Sequence, residues 1–199
     1  EANVFEFDEP PTYDEFIRVL KEKDKSKFKY TIEFYPEEGK YHYDGCSNCQ
    51  FSCLPQESKR LGDRCPKCKK RLVLVTNNRV SELSDREAAT VANNKVPFKS
   101  IVPLAEMIAE VVGVKSTQSK KVLAEYFRLT DEVADEFTLL LDTPIETIRQ
   151  AASDENLATA IERMRNGNVS IEPGYDGIFG KVNVFGDNGP KRPRQKSLL

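Results

Sequence analysis

The chain has 199 residues, 39% hydrophobic and 31% charged, a globular composition with apolar side chains enough for one or two small cores. Lys and Arg total 30 against 32 Asp and Glu, giving a net charge of −2, so there is no global basic field and any nucleic acid must be met by local patches. No run approaches the roughly 18 apolar residues of a membrane span. The acidic start "EANVFEFDEPP" is no signal peptide and lacks an initiating Met, so the chain is expected to begin partway through a longer protein.

In chain order, "TYDEFIRVLKEKD" places Phe16, Ile17 and Leu20 on one helical face, with Thr12 as N-cap and acids in the first turn. "FKYTIEFY" alternates charged and apolar residues, a strand pattern, and "PEEGK" makes a turn. The cysteine-bearing stretch that follows ends in the strand-like "RLVLV". "NNRVSELSDR" (77–86) reads as a short helix and "NNKVPFKSIVP" as an exposed linker with two prolines.

From Leu104 the texture becomes helical. "LAEMIAEVVGV" stops at Gly113. "STQSKKVLAEYFRL" opens on a Ser cap, and "DEVADEFTLLL", "TPIETIRQAA" and "DENLATAIERMRNG" each open on Asp or Thr, with Pro144 at a first helical position. "NVSIEPGYDGIFGKVNVF" reads as two short strands around a glycine-rich loop, and the basic, Gly/Pro-rich tail "GDNGPKRPRQKSLL" as flexible. The expected fold class is α+β: a terminal α/β piece, a small four-cysteine zinc ribbon or knuckle, and a mainly α-helical C-terminal domain with a short β-hairpin. The expected divisions are 1–44, 45–86, 87–185 and a tail 186–199.

The chemistry concentrates in the cysteines. Cys46-x-x-Cys49 and Cys65-x-x-Cys68 stand fifteen residues apart, the spacing of a four-cysteine zinc site. Two residues between ligands let a tight turn bring both sulfurs to one ion. A redox CxxC needs no second pair at that distance, and four thiolates leave no open position for water, so the expected Zn²⁺ is structural. Two CxxC pairs also point to metal in a reducing cytoplasm rather than to a disulfide framework. Cys53 reads as a small buried apolar residue rather than a fifth ligand. His42, the one histidine, has three readings from its residues: a zinc ligand in place of Cys46, the lip of an active site in the preceding domain, or a hydrogen-bonded strand residue.

"YTIEFYPEEGKYHYDGC", the CxxC pairs, "NRVSELSDRE", "VPFKSIVPLAEMIAEVVGV" and "IEPGYDGIFGK" follow one another in this order. Together, over roughly residues 1–185, they resemble the endonuclease Q family of PHP-domain DNA-repair nucleases. The resemblance implies incision of DNA 5′ of deaminated bases such as uracil and hypoxanthine, or at abasic sites. It implies catalytic Mg²⁺, Mn²⁺ or Zn²⁺ held by an N-terminal PHP domain, followed by a zinc segment and a helical domain. The family's His-rich metal motifs are absent, and one His cannot supply a PHP site. The chain therefore resembles the C-terminal portion of such an enzyme, with residues 1–44 as the end of the PHP domain. It is expected to have no nuclease activity alone, with His42 lining the active site.

Under this resemblance, DNA contacts are expected in "GVKSTQSKKV", where Lys115, Ser116, Ser119, Lys120 and Lys121 surround a helix N-terminus suited to phosphate. Lys99 and Ser100 add weaker candidates. In "EPGYDGIFGK", Tyr175 and Phe179 are aromatics of a kind that stacks on a displaced base, and Lys181 would reach a phosphate. The terminal "QKSLL" resembles the short peptide by which bacterial repair proteins bind the sliding clamp, with Gln195 as anchor and Leu198 and Leu199 as plugs. That implies a bacterial, cytoplasmic, nucleoid-associated protein with no membrane partner. The contrasting readings are a non-enzymatic zinc-ribbon adaptor, or an accessory domain of a helicase-like protein. The chain itself has no Gly-x-x-x-x-Gly-Lys-Ser/Thr loop and cannot be an NTPase of that kind.

Overall fold

The structure, a computed structural model, describes residues 1–85 and 95–186. The chain folds as two compact units, Glu1–Ser100 with Pro173–Gly180, and Ile101–Glu172 with Lys181–Leu199. The architecture is α+β, with a four-cysteine cluster in the first unit and helices with a β-hairpin in the second.

The first unit starts with β1 (Ala2–Phe5), α1 (Tyr13–Glu22) and β2 (Phe28–Glu33). Thr12 caps α1 as its sequence signals, its hydroxyl accepting the Glu15 N–H at 3.3 Å, and the helix stops at Lys23 in the left-handed region. β1 lies antiparallel to β2, with Ala2 opposite Ile32 and Phe5 opposite Phe28. The Phe5 ring sits 4.5 Å from Phe28 and 5.0 Å from Phe16 of α1, and Val19 is fully buried. This aromatic layer fixes the helix on the sheet.

β5 (Phe98–Ser100) pairs parallel to β2, Thr31 opposite Phe98. This corrects the expected exposed linker "NNKVPFKSIVP", whose residues 93 and 94 lie outside the described residues. The three residues of this strand, after Pro97, are too few to show an alternation. Their partner strand lies far upstream, and a parallel pair needs a long crossover. Here the whole cysteine segment lies in that crossover. "RLVLV" also differs from expectation: it makes isolated bridges, Arg71 to Arg64 and Val73 to Gly45, rather than a continuous strand. Each side of it finds only one partner residue, so no ladder propagates. α3 (Thr76–Leu83) forms where a short helix is expected, and Arg86 at the end of that stretch lies outside the described residues.

In the second unit α4 (Leu104–Val112) ends on Gly113 at φ 77°, as expected. α5 (Lys120–Glu132) is capped by Ser119 rather than by Ser116, which opens the expected stretch, and it runs through Asp131, so the next cap is Asp135 rather than Asp131. The Asp135 carboxylate accepts the Thr138 N–H at 3.1 Å and opens α6 (Glu136–Leu141). Pro144 is the N-cap of α7 (Ile145–Ala151), one residue before the expected position. α8 (Asn156–Arg165) follows, then β6 (Ser170–Glu172) and β7 (Lys181–Asn183), the expected hairpin, with Ser170 opposite Asn183. Leu104, Met107, Ile108, Leu139, Leu140, Ile148 and Ile161 are buried to about their last atom and form the core.

Among the described residues, no helix is long and apolar enough to cross a membrane.

Candidate metal centre and nucleic-acid interface

Two small turns carry the cysteines. β3 (Asp44–Cys46) and β4 (Phe51–Cys53) form an antiparallel hairpin whose connection is a single tight turn, Ser47–Cys49. The second pair sits on a similar turn, closed by the Lys69 N–H on the Cys65 carbonyl at 2.9 Å and the Cys65 N–H on the Lys70 carbonyl at 2.8 Å. In each turn the residue after the second cysteine is left-handed, Gln50 at φ 48° and Lys69 at φ 62°. Lys67 joins the turns by donating to the Cys49 carbonyl at 2.8 Å.

The Sγ atoms of Cys46, Cys49, Cys65 and Cys68 all lie within 4.8 Å of one another, and those of Cys46 and Cys68 are 3.9 Å apart. A tetrahedron with Zn–S bonds of about 2.3 Å has edges of about 3.8 Å. The four cysteines thus fit a structural zinc site in both chemistry and spacing. Backbone N–H groups of Cys68 and Lys67 hold the Cys65 thiol down to about 7, against the opposing pull of burial. A hydrogen bond with Cys68, then burial, pushes the Cys49 thiol up to about 12, and burial pushes Cys46 up.

Cys53 is buried against Leu72 beside the cluster, and burial followed by the nearby Asp44 pushes its thiol up to about 11, the state of an inert core cysteine. His42 stands outside the sulfur group. Its N–H donates to the Gly39 carbonyl at 3.1 Å, its carbonyl accepts the Asn77 N–H at 3.2 Å, and its ring lies 4.9 Å from that of Tyr43.

Two carboxylates that sequence reasoning passed over organise this region. Asp44 is fully buried and accepts from the Val75 N–H at 2.9 Å and the Asn78 amide at 2.6 Å, pinning the start of α3. Asp176 reaches back to accept the Ser47 N–H at 2.6 Å. Asp44 carried a local signal, an acid directly before Gly45-Cys46. Asp176 carried none.

The glycine-rich loop Pro173–Gly180 is latched along the segment that leads into the first CxxC pair. The N–H groups of Gly174, Gly177 and Gly180 donate to the carbonyls of Glu37, Lys40 and Glu38 at 2.8, 2.9 and 3.0 Å, and the Gly174 carbonyl accepts the Tyr43 N–H at 2.9 Å. A Cβ on Gly174 would fall 2.5 Å from the Gly39 carbonyl oxygen, so only glycine fits. Tyr175 is half-buried, its ring so close over Gly45 that a Cβ there would meet it at 2.5 Å. Phe179 is 68% exposed, with the Lys40 ammonium 5.5 Å from its ring centre.

The remaining expected contacts divide between the units. Lys115, Ser116, Lys120 and Lys121 are exposed around the start of α5, where Ser119 accepts the Val122 N–H at 3.3 Å. Lys181 is exposed on β7. Lys99 and Ser100 are half-buried in β5 rather than on an exposed linker, and the Lys99 ammonium sits 4.1 Å over the Tyr30 ring. Also in the second unit, Glu106, Glu110, Lys115, Thr117 and Asn183 line a cleft of about 390 Å³, where burial pushes the Glu106 carboxyl up. Gln195, Leu198 and Leu199 lie outside the described residues.

Residues 103–168 match the family described as the MJ0043 C-terminal domain. The crystal structure of the lesion-specific endonuclease PfuEndoQ from Pyrococcus furiosus superposes with a TM-score of 0.77 at 30% identity, over 92% of this chain and 44% of that one. The chain is similar to the C-terminal portion of endonuclease Q. A second endonuclease Q structure, solved with a 27-mer duplex substrate carrying an abasic lesion at the active site, gives a TM-score of 0.69 at 30% identity. That match covers 88% of this chain and 43% of the other. The chain thus spans less than half the length of these endonuclease Q structures. No curated protein matches it.

Proposed function

We propose that this chain is the zinc-bearing, DNA-contacting part of an endonuclease Q-type repair nuclease acting 5′ of deaminated bases or at abasic sites. The observation that carries this reading is the 0.77 TM-score at 30% identity to a lesion-specific endonuclease, over 92% of this chain. In this reading residues 1–44 belong to the end of a PHP domain, with His42 lining its active site. The catalytic Mg²⁺, Mn²⁺ or Zn²⁺ is held by PHP residues beyond this chain, because one histidine cannot furnish that ligand set.

The four thiolates would hold a coordinatively closed zinc that fixes the two turns and supplies no chemistry to the cut. Lys115, Ser116, Ser119, Lys120 and Lys121 are the proposed phosphate contacts. The first turn of α5 contains both of those last lysines and no acid, a positive end that opposes its own helix dipole and favours an external anion. Lys99 and Lys181 are further backbone contacts, and Tyr175 and Phe179 the aromatic ones, Phe179 having the exposure that stacking on a base requires. Gln195, Leu198 and Leu199 are proposed to engage a sliding clamp.

The test is a fluorescence-anisotropy titration of the chain with duplexes carrying uracil or an abasic site, followed by incubation with Mg²⁺ or Mn²⁺. The expected result is salt-sensitive binding without incision. Absence of binding at low salt overturns the DNA-contacting role. Incision by the chain alone overturns the assignment of the chemistry to residues beyond it.

A further inference from the structure

We infer that Asp176 is a positioning residue of the metal centre, through which zinc occupancy at the four cysteines and the placement of the loop Pro173–Gly180 depend on each other. The inference rests on the zinc site proposed above and adds what that zinc controls.

Ser47 is the first residue between Cys46 and Cys49, so its peptide forms the turn that aims both sulfurs. The N–H of that peptide is taken by a carboxylate 129 positions away, at 2.6 Å. A charge-assisted bond of this length is among the stronger contacts to a backbone donor. Asp176 holds a left-handed conformation, φ 41°, followed by Gly177 at 85°. Asp is one of the few side chains that visits this region, and the turn sends its carboxylate back toward the cysteines. The adjacent Tyr175 bridges Tyr43 in parallel register and covers Gly45, the residue before Cys46. One short loop therefore grips the first cysteine turn on its backbone and on the strand that feeds it.

Metal ligands keep their aim through such outer partners, whose loss typically weakens metal binding about 10- to 100-fold. Coupling is reciprocal: if the loop strengthens zinc binding, zinc must strengthen loop docking by the same factor. The loop also carries Phe179, so the metal would set where that exposed ring is presented.

The experiment uses the full 199-residue chain. Zinc content is measured first, then zinc transfer to a chromogenic chelator, for the unaltered chain, Asp176→Ala and Asp176→Asn. Hydrogen exchange of the peptide spanning Gly174, Gly177 and Gly180 is recorded with and without metal, with the α4 peptide as control. Asp176→Ala should weaken zinc retention by about tenfold or more, while Asp176→Asn, which keeps an acceptor oxygen, should restore most of it. Metal removal should speed exchange in the loop and leave α4 unchanged. Zinc retention by Asp176→Ala equal to the unaltered chain, or loop exchange indifferent to metal, overturns the coupling while leaving the zinc site standing. A chain that neither contains nor takes up zinc overturns both.

Discussion

Around the four cysteines the buried apolar side chains are few: Cys53 and Leu72 join the ligands Cys46 and Cys65, with Phe51 packed at the side. The helical unit buries Leu104, Met107, Ile108, Leu129, Leu139, Leu140, Ile148, Leu157, Ile161 and Met164 in a single interior. Several of its polar groups serve helix ends, while Glu110 and Arg163 hold the strand end at Val184. Glu136 accepts the Leu104 N–H at 2.8 Å, and Arg165 donates to the carbonyls of Leu139 and Leu140, both at 2.8 Å. Around the cysteines, where the apolar interior is small, polar groups do most of the joining, through Asp44, Lys67 and Asp176. Within one chain, one region stands on transfer of apolar surface from water, and the other on hydrogen bonds that aim four clustered cysteines suited to a metal.

The sharpest way to break this contrast is to remove the metal. A strong chelator at neutral pH should melt residues 44–75 and leave α4 to α8 folded, seen as selective loss of dispersed amide signals in an NMR spectrum. Structural zinc sites contribute on the order of 10 kcal/mol to local folding, far more than this small interior replaces. Acid should act in the same direction. Zinc binds thiolates, and with Cys49 held near 12 and Cys46 raised, binding must displace protons, so affinity falls as pH falls. Survival of the cysteine region in metal-free form would erase the distinction.

The converse experiment strikes the other unit. Ile161→Ala removes a fully buried side chain from α8 and should cost about 2–5 kcal/mol in denaturant unfolding of the helical unit, with zinc content unchanged. The smallest effect concerns the cysteine turns. Gln50→Gly relieves a left-handed backbone at φ 48° that costs a side-chain-bearing residue about 1–2 kcal/mol, partly offset by the unfolded-state freedom of glycine. The net should be a gain of up to about 1 kcal/mol, read as slower zinc transfer to a chelator.

What could be read in the sequence follows the range of the interactions. Thr12 and Gly113 act on neighbours within a turn of helix, and their caps formed where their residue types predicted, whereas the Ser cap of α5 fell to Ser119, three residues beyond the Ser116 that opens "STQSKKV". The two CxxC pairs also announce their chemistry locally, because each turn is four residues long. β5 was missed because three residues carry no periodicity; only the distant β2 makes them a strand. The isolated bridges of "RLVLV" show the opposite failure, apolar residues with strand propensity but no partner to extend the ladder. Asp135 took the cap expected of Asp131, because α5 runs on to Glu132 and the Asp135 carboxylate is the one that meets the Thr138 N–H. Asp176 could not be foreseen at all, since nothing in "PGYDGIFG" states that its carboxylate closes a turn 129 residues earlier.

The most direct test joins the metal to the DNA. Zinc-loaded and metal-stripped chain are titrated into a labelled duplex bearing an abasic site, over a series of salt concentrations. The loaded chain should bind, with an affinity falling linearly against salt on logarithmic axes, and the stripped chain should bind more weakly as the loop with Phe179 loses its anchorage. Equal binding by the two forms, or none by the loaded chain at low salt, would contradict the account.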